Sequence, residues 1–331
     1  PTGRLSQCLQ LARARRRYGR RAQADRRIEA RSPHRANPGL FLRAMDRFSL
    51  RVANLLVGND EGAAGLEAAF LGPKLYFSEP TVIAVTGGEI PIFLDGKEQN
   101  TWEAIRVSKD QTLEFGFIKN GARIYIAFSG GIDVPEVLDS RSTYTVGILG
   151  GYKGRVLNAG DLLNLFPQKD FELIHPPIPA SVRPKIGDLT KLKVLPGLYW
   201  HRLTEEAGCN FFEDEWSVAT EADRMGYRFT GGRPMKFVER KQPFGAGADP
   251  SNIVDSAYPY GSIQVPAGME PIVLHRDAVS AGGYFQVGTV ISADMDTIGQ
   301  LQPNKKVRFI KVSMEDALEA RKSQSNKLNE I

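Results

Sequence analysis

Short apolar runs punctuated by turn residues most restrict what this chain can fold into. Leu113, Phe115 and Phe117 alternate strictly with Glu114 and Gly116, and the run Arg123–Phe128 follows. Asn120-Gly121 between them is the dipeptide that best suits a two-residue hairpin turn. Upstream, Leu75–Phe77, Val82–Val85 and Ile90–Leu94, the last followed by Asp95-Gly96, read as further strands. This half is expected to be a β-meander. The second half repeats the style with Tyr227–Thr230, a Gly/Pro loop from Gly231 to Pro250, then Ser262–Val265, Ile272–His275, Gly288–Ile291 and Val307–Val312. No fixed repeat period links the runs, which argues against solenoids and propellers.

Helical signals are few. Asp46 can cap a helix in which Phe48, Val52, Leu55 and Leu56 share a face and Gly58 follows as a stop. Ser313 with Asp316 three residues on resembles a capping box for a terminal helix, whose Ala317, Leu318 and Leu328 pack on the preceding barrel. Five prolines, at 167, 176, 177, 179 and 184, interrupt the chain where neither a helix nor a central strand accepts them. With 331 residues there is chain enough for two cores. The expected units are 44–180 and 181–331, both β-rich, the second ending in a helix.

Charge is unevenly spread. Eleven Arg against two acids give residues 1–40 a net of +9 in a chain of net +5, leaving −4 for the rest. Such a stretch can bind nucleic acid or an anionic membrane, or act as a transit peptide. Its lack of Lys, the first being Lys74, also fits an Arg/Ala/Pro-rich product of a GC-rich gene read out of frame. Residues 1–43 are therefore expected to be disordered or a frame artefact and to add nothing to the core. The mildly acidic body is expected to take neither a nucleic acid nor a membrane as partner. Two cysteines, Cys8 and Cys209, make no disulfide framework, and no apolar run approaches the ~18 residues of a membrane span. A reducing cytoplasm is the expected setting.

Walker A, H-E-x-x-H, G-x-S-x-G and EF-hand patterns are missing, and Gly147–Gly154 departs from the dinucleotide-binding spacing. His34, His175, His201 and His275 are too dispersed to argue a metal site.

Several motifs together resemble one family. Asn54-Leu55-Leu56-Val57-Gly58-Asn59, Ser129-Gly130-Gly131-Ile132-Asp133-Val134-Pro135, Ser140-Arg141-Ser142-Thr143, Asp223-Arg224-Met225-Gly226-Tyr227-Arg228 and Gly261-Ser262-Ile263-Gln264-Val265-Pro266 occur in the order of the carboxyltransferase-domain family, from about Ala44 to about Lys322. That family includes the C-type subunit of 5-oxoprolinase, allophanate-hydrolase-subunit-2-like proteins and the carboxyltransferase part of urea amidolyase. The resemblance implies a mainly β fold of two tandem cyclophilin-like β-barrel subdomains with a few short helices. It also implies a B-type partner subunit, a third lactam-hydrolase subunit, and ATP used at the level of the complex to open the ring of 5-oxoproline. The chain departs from the family pattern at both ends. A T-T-V-Q-D-like opening is replaced by the Arg-rich stretch, and T-T-G-G-Y-P reads Ser280-Ala281-Gly282-Gly283-Tyr284-Phe285.

Opening an amide, or moving a carboxyl group onto an amide nitrogen, needs a base and donors for oxyanion charge. Strand alternation over Ile272–Asp277 puts His275 and Asp277 on one face as a base with an orienting carboxylate. Arg224 and Arg141 can grip a carboxylate, Gln264 and Asn54 offer amide contacts, and Tyr227 is a further candidate substrate contact, although barrel packing is the commoner use of such a ring. Arg224, His275, Asp277 and Gln264 are expected to share one cleft of the second barrel. The first functional expectation is a subunit of an ATP-dependent 5-oxoprolinase acting on a small amide. The alternative is the carboxyltransferase component of a biotin-dependent urea or amide carboxylase, with biotin on another chain because no A-M-K-M segment is present. A non-catalytic regulatory protein that binds a partner is the third.

Overall fold

A computed structural model of the chain describes residues 27–30, 36–39, 44–167 and 175–331. The first unit comprises β1 (Arg27–Ala30), β2 (Ala36–Gly39), α1 (Arg47–Leu56), β3 (Gly65–Ala69), β4 (Leu75–Phe77), β5 (Thr81–Glu89), β6 (Ile92–Leu94), β7 (Lys97–Gln99), β8 (Ala104–Val107), β9 (Thr112–Phe115), β10 (Asn120–Phe128) and β11 (Leu162–Asn164). They form a six-stranded sheet in the order β11-β1-β4-β9-β6-β7 and a five-stranded sheet in the order β2-β3-β10-β5-β8. Leu66, Phe77, Val85, Ile92, Ile126 and Phe128 belong to the core they enclose. Strand β5 is buried without alternation because its other face is covered by α1, where Phe48, Val52 and Leu56 pack with Val82, Ala84 and Trp102. Asp46 caps α1 by accepting the Ser49 N–H, and Gly58 stops it with φ of 74°.

Two expectations for this unit are corrected. It is no meander, since β4 lies beside β9 and β3 beside β10. Nor do β9 and β10 form the Asn120-Gly121 hairpin: β9 pairs with β4 and β6, and β10 with β3 and β5 in the other sheet. Asn120-Gly121 instead meets the second unit. Asn120 Nδ2 donates to the Ile186 carbonyl, and Gln302 Nε2 donates to the Gly121 carbonyl. A Cβ at Gly121 would sit 2.7 Å from Gly88 Cα. Glycine here serves close approach as well as its φ of 81°. The Asp95-Gly96 turn does close a hairpin, β6 with β7.

The Arg-rich segment enters this unit at two places, which corrects the expectation of a stretch outside the fold. Strand β1 pairs with β4 and β11, and β2 with β3. Backbone pairing needs no apolar side chain, so composition did not reveal it. The rest of 1–43, with Cys8, lies outside the described residues.

The second unit comprises β12 (Leu189–Pro196), α2 (Glu205–Glu213), β13 (Trp216–Val218), β14 (Gly226–Thr230), β15 (Asn252–Ala257), β16 (Ser262–Gln264), β17 (Ile272–Leu274), β18 (Ala281–Tyr284), β19 (Gln286–Val290), α3 (Met295–Ile298), β20 (Lys306–Lys311) and α4 (Met314–Asn329). Seven strands close a barrel in the order β12-β19-β16-β17-β14-β13-β20. First and last strands meet in parallel, from Leu189 opposite Lys306 to Val194 opposite Lys311, which closes the ring. Its core includes Trp216, Phe229, Ile263 and Phe309, with Phe211 of α2 stacked on Phe309 at 4.8 Å. Helix α2, capped by Thr204 and led by Glu205 and Glu206, was not anticipated.

Between the units Ile178 packs with the α1 cluster and Ile186 with the barrel core, so the chain changes partners inside the proline-rich stretch. The Ser313–Asp316 capping box forms. Leu328 of α4, however, joins Phe48, Trp102 and Ile178 of the first unit, while Leu318 is exposed. The terminal helix thus spans both units. Among the described residues no helix is long and apolar enough to cross a membrane.

Candidate functional site

A buried ionic joint connects the two units. Strand β3 contributes Glu67; β10 contributes Arg123 and Tyr125, which share a face by the two-residue period. From the barrel, the pairing of Gly226 with Leu274 brings the segment before β14 against the turn after β17. There the Asp277 N–H donates to the Arg224 carbonyl at 2.9 Å. Arg224 then bridges the units: Nε donates to Asp277 Oδ2 at 2.8 Å and Nη1 to Glu67 Oε1 at 2.8 Å. The other Glu67 oxygen accepts the Met45 N–H at 2.8 Å and the Tyr125 hydroxyl at 2.9 Å. Burial alone would raise the Glu67 pKa, but Arg224 and Arg123 together with these donors outweigh it and hold the carboxylate below its ordinary value. Burial likewise opposes the Arg224 charge, and Glu67 and Asp277 more than restore it.

Next to this joint, two carboxylates meet at the start of α1. Asp46 Oδ1 accepts the Ser49 N–H at 2.9 Å, and Oδ2 accepts the Ser49 hydroxyl at 2.6 Å and Gln300 Nε2 at 2.8 Å. Asp296 accepts the Arg47 and Phe48 N–H groups and Gln324 Nε2 of α4. Burial first, and the Asp296 charge second, push the Asp46 pKa up to about 7. Asp46 lines two hollows. One, of about 240 Å³, includes Gly87, Trp102, Arg183, Lys185 and Gln300; the other, of about 450 Å³, includes Lys193, Asp294, Asp296 and Gln324. The stretch Arg183–Lys185 borders both. A carboxyl group poised near neutrality at a cavity wall can exchange a proton, and Arg183 and Lys185 elsewhere on that wall can attract an anion.

The structure separates the residues singled out by sequence. Arg224 and Asp277 do meet, but as an ion pair of the joint. His275 is not oriented by Asp277. Strand β17 ends at Leu274, and the Ala278 N–H donates to the His275 carbonyl in a turn, so alternation does not reach Asp277. The His275 ring is buried, with Nε2 3.1 Å from the Met295 carbonyl and 3.5 Å from the Tyr260 hydroxyl. Burial, then Arg276, depress its pKa well below the usual value and keep it neutral. Gln264 pairs with Ile272, at the far end of β17 from the Asp277 turn, beside Tyr258. It is therefore outside the expected cleft. Tyr227 is buried in the barrel, where Arg123 Nη1 donates to its hydroxyl at 2.5 Å. Arg141 holds its own loop, donating to the Val134 carbonyl and to Glu136 and lying 4.9 Å over the Phe166 ring.

Asn54 is a fastener of α1. Its Nδ2 donates to the Glu61 and Ala63 carbonyls at 3.2 and 2.9 Å, and its Oδ1 accepts Asn59 Nδ2. Asn54→Ala leaves the part-buried Glu61 and Ala63 carbonyls short of a donor and is expected to cost about 1–2 kcal/mol in thermal unfolding. An unchanged melting curve would contradict that role.

Sequence reasoning missed Glu67, Arg276 and Asp296, and read Asp46 only as a cap. An acid inside the apolar run Gly65–Ala69 was the one visible signal. Among the described residues no group of three or more His, Cys, Asp or Glu is placed to hold a metal.

Two β-rich subdomains, one a closed seven-stranded barrel, clamped together by buried ion pairs define a two-subdomain β protein whose candidate site lies at the joint. Residues 44–311 match the model of the family described as carboxyltransferase domain, subdomain A and B, and the chain belongs to that family. It is 35% identical over 291 residues to urea amidolyase of Saccharomyces cerevisiae, covering 85% of this chain and 16% of that protein. It is 31% identical over 290 residues to the C-type subunit of 5-oxoprolinase of Haemophilus influenzae, covering 87% of this chain and 88% of that one. The chain thus spans only about a sixth of the urea amidolyase. Among solved structures it resembles the Kluyveromyces lactis urea amidolyase with a TM-score of 0.85 and 33% identity, over 93% of this chain and 20% of that one. By name these relatives are enzymes or a subunit of one.

Proposed function

We propose that this chain is the carboxyltransferase component of a larger amide-carboxylating enzyme of the urea carboxylase kind. The observation that carries this is the likeness to the Kluyveromyces lactis urea carboxylase, at a TM-score of 0.85 over 93% of the chain. Moving a carboxyl group onto an amide nitrogen requires that nitrogen to lose a proton as the bond forms. Asp46, with its pKa near 7, takes that proton at the wall of the smaller hollow, and Gln300 and Ser49 fix its orientation. Arg183 and Lys185 on the same wall attract the anionic carboxyl group and favour charge developing on the amide oxygen. These cations fit a biotin carried on another chain, which when bound would supply the activated carboxyl group. ATP is used elsewhere in the complex.

A second reading is the 5-oxoprolinase type, favoured by the match over 88% of that enzyme's C-type subunit. There the same carboxylate activates water toward the lactam carbonyl. Co-purification with the neighbouring gene products, followed by ATP turnover measured with urea and with 5-oxoproline, separates the two. Urea-dependent turnover that avidin blocks is expected. Avidin-insensitive turnover on 5-oxoproline would replace the first reading by the second, and turnover on neither would defeat both.

A further inference from the structure

Helix α4 borders the larger Asp46 hollow but has a weak hold on the rest of the chain. Among its described side chains only a narrow stripe faces the body: Ala317, Ala320, Gln324 and Leu328, three or four positions apart, are buried or half-buried. Met314, Leu318 and the charged Glu319, Arg321, Lys322 and Lys327 are exposed. Leu328 is the one large apolar side chain of the stripe, and it enters the cluster of Phe48, Trp102 and Ile178 in the first unit. Gln324 supplies a polar tie, with Nε2 donating to Asp296 Oδ2 at 3.0 Å and to the Ala293 carbonyl at 3.4 Å. Helix α1, although shorter, buries Phe48, Leu50, Val52, Ala53 and Leu56. A helix of 16 residues is marginal in water by itself, so α4 depends on these few contacts.

Both anchors lie in the second half of the helix, whereas its start is fixed. The Val312 N–H donates to the Val194 carbonyl at 3.1 Å, and the Ser313–Asp316 capping box follows. A pinned start and a lightly held end make a hinge. Ala320, Ser323, Gln324 and Lys327 form the α4 side of the hollow of about 450 Å³, opposite Asp46, Phe48 and Asp296. Asp46 itself is 1% exposed. We infer that α4 is a lid on this hollow. It undocks about Val312–Ser313, carrying Gln324 off Asp296 and Leu328 out of its cluster, and opens Asp46 to solvent while α1 and the barrel stay folded. Elements held by few apolar contacts are the ones that open locally. The lid governs access to Asp46 whichever reaction that residue serves, and its test reads exchange and labelling, not turnover.

Hydrogen exchange of the full chain, read by mass spectrometry at neutral pH, is expected to show α4 at least about a hundred-fold less protected than α1 and the barrel strands β12 and β20. A fraying terminal helix would show the same, so a second readout follows Asp46. A water-soluble carbodiimide with glycinamide labels carboxyl groups that solvent reaches, and the labelling rate is measured on the peptide that carries Asp46. Leu328→Ala should lower α4 protection by about ten-fold or more and speed Asp46 labelling by the same factor, because both pass through one opening. Gln324→Ala, which leaves the apolar anchor in place, should do both to a smaller extent. Exchange in α1 should be unchanged in either variant. Protection of α4 equal to that of the barrel strands, faster α4 exchange without faster Asp46 labelling, no response to Leu328→Ala, or α1 opening in step with α4 would each overturn the proposal.

Discussion

Arg224→Ala is expected to lower the free energy of unfolding by about 3–5 kcal/mol, the usual result of removing one partner from a buried ion pair. The side chains of Glu67 and Asp277 are 6% and 5% exposed, and Arg224 is the cation between them. Without it, two carboxylates remain in the joint with Arg123, 3.8 Å from Glu67, as the nearest cation to Glu67. Urea denaturation of the purified chain measures the effect, and a loss below about 1 kcal/mol would show that the joint is solvated. The pH response distinguishes this from a lost substrate contact. Glu67 has a depressed pKa in the folded chain, so its contribution is present above the unfolded value near 4.5 and is lost as pH falls through the folded value. In Arg224→Ala that acid limb should flatten, because the cation that depresses the pKa is gone.

Asp46→Asn is expected to reduce turnover of the assembled enzyme by about 10²–10⁴-fold, the range for removing a general base. Stability supplies a second readout. The Asp46 pKa is raised from 3.8 to about 7, so between those values the folded chain holds a proton that the unfolded chain has released. Stability therefore falls as pH rises from about 4 to about 7 and levels off above, by an amount on the order of a few kcal/mol. Asparagine does not titrate, so the slope should vanish in the variant, while its carbonyl oxygen can still cap α1 through the Ser49 N–H. Retained turnover with a lost slope would confine Asp46 to a structural role, and an unchanged slope would remove it as the titrating group.

Both predictions rest on residues that sequence ranked differently. Arg224 stood out by motif as a substrate grip, yet its two partners lie 157 and 53 positions away, and only their burial makes it a clamp. Asp46 was legible as a cap because capping is local, needing only Ser49 three residues on. Its raised pKa comes first from burial and then from the charge of Asp296, some 250 positions distant, and so could not be read from its neighbours. His275 and Asp277 show the reverse error. Alternation predicted a shared face, but a strand ends where its partner ends, and β17 stops at Leu274 opposite Gly226.

The sequence by itself determined what depends on local periodicity and turn chemistry: two β-rich units, the α1 and α4 caps, the Asp95-Gly96 hairpin and, through ordered motifs, the family. Tertiary structure alone decided which strands are neighbours, why Asn120-Gly121 faces the second unit, and which charges are buried together. Local signals fix dihedral angles and caps within a few residues, whereas pairing, burial and pKa depend on groups far apart in sequence. Their energies arise only when water has been excluded from between them.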